Sequence, residues 1–141
     1  ETWAPYVRPD ERGVPRHVLP GTAAHPLPYL AYAPGAYMGR AVDHMLSQST
    51  VPVHLDRIYE TDMSEGLKAM ALEGHGVAFL PASAVRREVH ARRLVSAGEG
   101  FETSLDIRIY RERPGTRKPK RLVDAFWRDL QAQLPAEPAA G

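Results

Sequence analysis

The fold is decided by residues 63–81, which read MSEGLKAMALEGHGVAFLP. Apolar side chains recur at helical spacing in the first half of this stretch, which predicts an amphipathic helix. The apolar stripe comprises Met63, Leu67, Met70 and Ala71. Asp62 stands where it can cap the free amides of that helix, and Glu65, three residues on, can reach back toward it. Gly74 is expected to end the helix, because glycine readily adopts the left-handed conformation of a helix end.

The second half of the stretch, residues 77–80, is a short apolar run closed by Pro81, which predicts a central strand covered on both faces. Further strands and helices alternate around it. The predicted strands lie at residues 3–7, 27–32, 51–59, 94–95 and 105–110, and the predicted helices at residues 36–46, 82–91 and 119–134. Pro28 places the start of its strand near a sheet edge. Strands separated by helices of about ten residues favour crossover connections. The sequence therefore predicts an α/β fold with a mostly parallel, doubly wound sheet.

The composition is that of an ordinary soluble protein. The chain has 141 residues and a mass of 15.6 kDa, which suits a single domain. Hydrophobic residues make up 43% and charged residues 25%, so disorder and coiled coil are poor interpretations. No apolar run approaches the ~20 residues of a membrane-spanning helix, and the first residues lack a signal-peptide pattern. We therefore expect a soluble, cytoplasmic protein with no membrane partner.

Charge and cysteine content exclude several kinds of chemistry. The formal net charge is +1, so the overall field does not draw the chain strongly to nucleic acid. With no cysteine, disulfides, thiolate nucleophiles and thiol redox switches are excluded. The six histidines lack metal-binding spacings such as HExxH, so no metal is predicted. Residues 111–121 are basic but carry no aromatic side chain for stacking on bases, and we interpret them as a solvated connection.

Sequence motifs typical of enzymes are absent as well. The chain contains no GxSxG, GxxxxGK[ST] or GxGxxG pattern. Gly74 and Gly76 flank a histidine, but the residues that follow break the dinucleotide-binding pattern. Helix capping explains Ser64 and Glu65 better than catalysis does. The sequence predicts neither an enzyme nor a cofactor.

Residues 63–81 resemble the effector domain of LysR-type transcriptional regulators. In that family a helix ending in GxG runs into an apolar strand closed by Leu-Pro. A Leu-Val pair, an apolar strand and a terminal helix with a central Phe follow in the family. The matching positions here are Leu94-Val95, residues 105–110 and Phe126, so the resemblance covers nearly the whole chain. Residues 37–40, 63–68 and 126–128 are further similar to the hypochlorite-responsive subgroup.

The resemblance implies a fold like that of type II periplasmic binding proteins, in which two α/β subdomains enclose an inducer. It implies that residues 1–113 are the second subdomain and residues 114–134 a connection and C-terminal amphipathic helix that packs on the first. Residues 135–141 are expected to be a disordered tail. The first subdomain and the winged helix-turn-helix are expected to be missing, so this fragment should not contact DNA itself.

The predicted ligand site lies at the carboxyl ends of the strands, where helix N-termini point their amides outward. Two turns meet that description, one after residue 32 and one after residue 59, and the resemblance implies an inducer surface on the same loops. The predicted effector-binding or sensing residues are Ala33, Pro34, Gly35, Tyr37, Met38, Thr61, Asp62 and Met63. They suit a small anionic or aromatic effector.

Methionine is the residue type here that oxidants convert reversibly, because thiols are absent. Met38 and Met63 lie at predicted helix starts beside the expected cleft, where oxidation could alter packing. We therefore treat both as candidate oxidant sensors. Met45 and Met70 are interpreted as core-filling side chains.

The terminal helix presents an apolar stripe that would lack its usual partner. We therefore expect a homo-oligomer in which this helix packs on a neighbouring copy. Two alternatives to a regulator remain open. One is a solute-binding domain of a transport system with the same fold, which the lack of an export signal disfavours. The other is a small α/β enzyme whose activity would depend on a pocket residue such as Tyr37 or Asp62.

Overall fold

The computed structural model describes residues 1–106, 108–111 and 121–133. The chain divides into two compact units, Glu1–Asp106 and Ile107–Gly141. The elements are β1 (Thr2–Val7), β2 (Leu27–Tyr32), α1 (Tyr37–Ser47), β3 (Leu55–Thr61), α2 (Ser64–Glu73), β4 (Val77–Pro81), α3 (Ala82–His90), β5 (Val95–Ser96), β6 (Thr103–Ser104) and α4 (Arg121–Gln133). The first unit carries the sheet with α1 to α3, and the second carries α4.

The sheet follows the order β3-β2-β4-β1-β5, with β6 paired to β1. β2 runs parallel to β3 and β4, whereas β1 runs antiparallel to β4, β5 and β6. The predicted α/β class is confirmed, but the sheet is mixed rather than mostly parallel, because three of its five strand pairings are antiparallel. The parallel part consists of β2, β3 and β4. In it, α1 connects β2 to β3 and α2 connects β3 to β4. β1 instead leads to β2 through residues 8–26, which contain no helix.

The core lies around β4, all five residues of which are buried. This confirms the predicted central strand. The Tyr29 ring meets the Phe79 ring edge-on, with centroids 6.0 Å apart. Leu67 of α2 and Val85 of α3 close over the sheet. Burying a side chain such as Phe79 contributes about 2–3 kcal/mol, so β4 is a main source of the stability of the first unit.

Several predicted boundaries shift in the structure. β3 begins at Leu55, because residues 51–54 form no ladder and Pro52 in that segment has no N–H to donate. Instead of residues 105–110, the strand that pairs with β1 is Thr103–Ser104; Leu105, Asp106 and residues 108–110 are not in a strand. Ile107, Pro119 and Leu134 lie outside the described residues.

Pro28 does not mark a sheet edge, since β2 lies between β3 and β4. The amide of Leu27 donates to the carbonyl of His54 on the β3 side. Because successive residues of a strand alternate, the nitrogen of Pro28 faces the β4 side. Pairing with β4 begins only at Tyr29. The missing N–H of Pro28 therefore costs no hydrogen bond of the ladder.

Candidate functional site

The turns that follow β2 and β3 lie side by side. The amide of Ala33 donates to the carbonyl of Thr61 at 2.9 Å, which joins the ends of the two parallel strands. The Ala33 carbonyl in turn accepts a bond from the amide of Ala36, and Gly35 takes the left-handed conformation that this turn requires. Two of the turns predicted from the sequence are thus in direct contact.

Both helices that start at these turns have uncapped N-termini. Ala36 and Met63 occupy the N-cap positions of α1 and α2, and neither makes a side-chain capping bond. First-turn amides that lack intrahelical partners carry partial positive charge and favour an acceptor or anion from outside the helix. The paired turns therefore offer two such sets of donors next to each other.

The predicted capping by Asp62 and Glu65 is wrong. Asp62 is exposed and lies one residue ahead of the N-cap, where its carboxylate makes no capping bond. The Thr61 hydroxyl accepts from the amide of Met63 instead, at 3.3 Å. Glu65 pairs with Lys68 at 2.7 Å rather than reaching back. The predicted end of the helix at Gly74 is confirmed, since Gly74 has a φ of 87°.

Behind the turns lies a chain of polar side chains, which we name the inner polar chain: Trp3, Tyr32, Ser64 and Met38. The hydroxyls of Tyr32 and Ser64 lie 2.9 Å apart, and the Ser64 hydroxyl donates to the Met38 sulfur at 3.8 Å. Trp3 is 5% exposed, and its Nε1–H finds no acceptor among the described residues. A buried, unpaired donor costs about 1–3 kcal/mol, so an acceptor supplied here would stabilise the domain.

Burial keeps the Tyr32 hydroxyl protonated. Desolvation raises the pKa of Tyr32, and the neighbouring Ser64 hydroxyl and Trp3 indole partly oppose that effect. Tyr32 is therefore neutral and can donate across the physiological pH range. Sequence patterns did not single out Trp3 or Tyr32, although a tyrosine at the end of a buried strand, next to a turn, is a usable signal.

The predicted residues Tyr37 and Met63 lie on the outside of the turns, with 64% and 62% of their surface exposed. The guanidinium of Arg40 stands 5.8 Å from the centroid of the Tyr37 ring and donates to the Gly35 carbonyl at 2.7 Å. Pro34 is also exposed, whereas Met38 is partly buried and packs against the core. The candidate site thus has an exposed rim and a buried polar floor.

Metal and membrane chemistry receive no support from the part of the chain that the structure describes. No three histidine, aspartate or glutamate side chains in residues 1–106, 108–111 and 121–133 come together as metal ligands. None of the described helices has the length and apolar character needed to cross a bilayer.

The sequence profile described as LysR substrate binding domain matches residues 7–135. The chain belongs to this family. LysR substrate-binding domains are the regulatory parts of transcription regulators. The match therefore confirms the resemblance seen in residues 63–81. Their fold is like that of the periplasmic binding proteins, which agrees with the α/β architecture described above.

Two curated LysR-type relatives are similar over most of the chain. The HTH-type transcriptional regulator YjiE of Escherichia coli K12 is 32% identical over 127 residues, 90% of this chain and 40% of that protein. The HTH domain-truncated transcriptional regulator QseD of Escherichia coli O157:H7 is 33% identical over 104 residues, 74% of this chain and 42% of that protein. The chain thus spans about two fifths of the length of either relative.

Solved structures of LysR-type regulators are also similar to this chain. Full-length HypT from Salmonella typhimurium, described as a hypochlorite-specific LysR-type regulator, aligns with a TM-score of 0.68 and 26% identity. That alignment covers 93% of this chain and 43% of HypT. DarR of Vibrio fischeri, solved in complex with DNA, aligns with a TM-score of 0.63 and 27% identity over 72% of this chain and 33% of DarR.

Proposed function

We propose that this chain is the effector-responsive part of a LysR-type transcription regulator and has no enzymatic activity of its own. The effector surface consists of the two paired turns, with the rim residues Pro34, Tyr37, Asp62 and Met63 around the backbone of Ala33, Gly35 and Thr61. The observation that carries this proposal is the Ala33–Thr61 hydrogen bond, which holds two uncapped helix starts together. A small effector that carries an anionic or acceptor group suits these amides.

We further propose that Met38 makes this surface responsive to an oxidant such as hypochlorite. The hydrogen-bonded part of the inner polar chain runs from Tyr32 through Ser64 and ends at Met38, because a thioether only accepts. The Trp3 indole lies beside the Tyr32 hydroxyl but makes no hydrogen bond among the described residues. A thioether is a weak acceptor, whereas a sulfoxide oxygen is a strong one. Oxidation of Met38 would therefore strengthen the bond from Ser64 and tighten the start of α2.

Met63 is the second candidate oxidant sensor, and its surroundings differ from those of Met38. Its side chain is exposed, so hypochlorite reaches it readily. The structure gives the Met63 sulfur no hydrogen-bond partner among the described residues, so its oxidation changes few contacts. Met45 and Met70 pack against the core as partly buried side chains, in keeping with a filling role.

The test is oxidation by limiting hypochlorite, followed by peptide mass spectrometry and near-ultraviolet circular dichroism. We expect Met63 to oxidise first without a spectral change and Met38 to oxidise with a change in the Tyr32 and Trp3 region. Met38→Leu should abolish the spectral change, and Met45→Leu, the matched control, should retain it. Equal oxidation of all four methionines with no spectral change would refute the proposal.

Membership in the LysR family also suggests the macromolecules with which the regulator interacts. We propose that a helix-turn-helix domain elsewhere in the regulator contacts DNA and that the protein is cytoplasmic. We also propose that α4 packs on a second copy of the chain. Leu122, Val123 and Phe126 of this helix are exposed, at 83%, 44% and 62%, and a row of three large apolar side chains on one helix is usually covered.

A further inference from the structure

We propose that a second, arginine-lined concavity in the first unit binds the phosphate groups of a small phosphorylated molecule. This concavity lies at the carboxyl ends of α2 and α3, and we name it the arginine concavity. It is lined by Arg8, Pro9, Asp10, Glu11, Arg16, Leu72, Glu73, Arg92 and Arg93. The ten residues of α2 separate it by about 15 Å from the paired turns. It is therefore distinct from the effector surface.

Four arginines line this concavity, and they come from three separate segments. Arg8 follows β1, Arg16 belongs to the loop before β2, and Arg92 and Arg93 follow α3. Two of them are close neighbours: the Arg8 Cδ and an Arg16 guanidinium nitrogen lie 3.3 and 3.7 Å from the position that a Cβ of residue 74 would take. Within the described residues, none of the four pairs with a carboxylate at 4 Å or less.

Three carboxylates line the concavity, and that of Asp10 has partners within its own loop. Asp10 accepts from the amides of Arg12 and Val14, each at 2.9 Å, and so holds its own loop together. Glu11 and Glu73 complete the acidic residues of the lining, against four arginines. Burial and then the Arg16 guanidinium lower the pKa of the adjacent His17. The lining therefore carries one more basic than acidic side chain.

The carboxyl ends of α2 and α3 explain the position of some of these arginines but not of all four. Cations are favourable at helix C-termini, and Arg8 donates to the Glu73 carbonyl at 3.4 Å. That role does not require Arg92, whose backbone stands at a φ of 53°, in the left-handed region. A glycine fits this position after α3 at lower cost. The chain instead carries an arginine here, which points to a use for its side chain.

The chemistry of the lining indicates the class of ligand. Guanidinium groups match phosphate oxygens in a bidentate manner, and several of them around one site are typical of phosphate recognition. The concavity measures about 510 Å³, which is larger than a single phosphate needs and lies within the range of small-molecule sites. The carboxylates of Glu11 and Glu73 can accept from hydroxyl or amino groups on the body of such a ligand.

The experiment is calorimetric titration of the whole chain with inorganic pyrophosphate, and separately with orthophosphate, at constant ionic strength set by sodium chloride. We expect saturable pyrophosphate binding at one site. Arg16→Gln and Arg92→Gly should each raise the Kd by about tenfold, in keeping with loss of a charge-assisted bond. Arg86→Gln is the matched control, since Arg86 is an exposed arginine of α3 outside the concavity, and it should leave the Kd unchanged.

Arg92→Gly also separates binding from folding. Because glycine relieves the left-handed strain, its midpoint of thermal unfolding should not fall even though pyrophosphate binding weakens. Absence of saturable binding, or equal weakening by Arg86→Gln, would overturn the proposal and leave only general attraction between charges. Unchanged affinity in both Arg16→Gln and Arg92→Gly would overturn it as well. None of these outcomes bears on the paired turns or on Met38.

Discussion

At the scale of single residues, Gly76 shows how tightly the strands of the parallel part pack. A Cβ at this position would lie 2.4 Å from the carbonyl oxygen of Pro28 and 2.9 Å from its carbonyl carbon. Both atoms are backbone, so neither can move aside cheaply. The glycine just before β4 is thus required by the approach of β2 rather than by any turn.

We predict that Gly76→Ala lowers the free energy of unfolding by about 3 kcal/mol, because the new methyl group must displace backbone. Gly13→Ala is the control: its Cβ would meet nothing within 4 Å, and the cost is the left-handed strain alone, about 1 kcal/mol. Urea unfolding of both variants measures the difference. Equal losses would show that β2 does not approach Gly76 as described.

Because the Tyr29 hydroxyl is buried, we predict that the free energy of unfolding falls at high pH. Burial is the main cause that raises the pKa of Tyr29, with Asp43 adding to it and Arg57 opposing it. Above about pH 10 the unfolded chain releases this proton while the folded chain keeps it, so the unfolded state gains stability. The free energy of unfolding should fall by about 1.4 kcal/mol per pH unit for this residue.

Urea unfolding at pH 9, 10 and 11 measures the slope. The Tyr29 contribution should be absent at pH 9, below the ordinary pKa of tyrosine, and should be lost from the slope in Tyr29→Phe. A Tyr29→Phe variant with the same slope as the parent chain would contradict the assignment.

At the scale of elements, sequence patterns predict what local chemistry determines. β2 was predicted at its observed bounds, and the body of α2, its end at Gly74 and the buried β4 were predicted as well. Errors arise where long-range pairing decides. β6 forms at Thr103 because β1 offers an unpaired edge there, and β3 starts at Leu55 where β2 begins. Neither partner can be read from the local pattern.

Part of the candidate site could likewise be predicted from local sequence patterns, and part could not. The paired turns were predicted, since each follows a strand and precedes a helix within a few residues. The inner polar chain was not, because Trp3 reaches Tyr32 only through the pairing of β1 with β4, which joins residues nearly eighty positions apart. The Asp62 capping prediction failed for a local reason, the position of the N-cap at Met63.

For α4 we predict association through its apolar face. Sedimentation equilibrium should show a dimer or larger species for the parent chain and a shift toward monomer for Leu122→Ser with Phe126→Ser. Both residues are exposed, so the change should not lower the midpoint of thermal unfolding of the first unit. Gln131→Ser, an exposed change on the same helix, is the control. A monomeric parent chain would contradict the expected packing.

At the scale of the whole molecule, the chain is a LysR substrate-binding domain that spans about two fifths of the length of its curated relatives. In our proposal, its paired turns and inner polar chain form one side of a site that responds to a bound acceptor or to an oxidised sulfur. The arginine concavity, at the other end of α2, would give the same unit a second, independent input.

We propose that oxidation of Met38 is transmitted along the inner polar chain as far as Trp3. Heteronuclear NMR before and after limiting hypochlorite tests it directly, with the Trp3 indole N–H as the reporter and the Trp127 indole as an internal reference. We predict that the Trp3 signal and the Ser64 amide shift as Met38 oxidises, and that neither shifts in Met38→Leu. An unmoved Trp3 signal in fully Met38-oxidised protein, or the same shift in Met38→Leu, would contradict transmission through the inner polar chain.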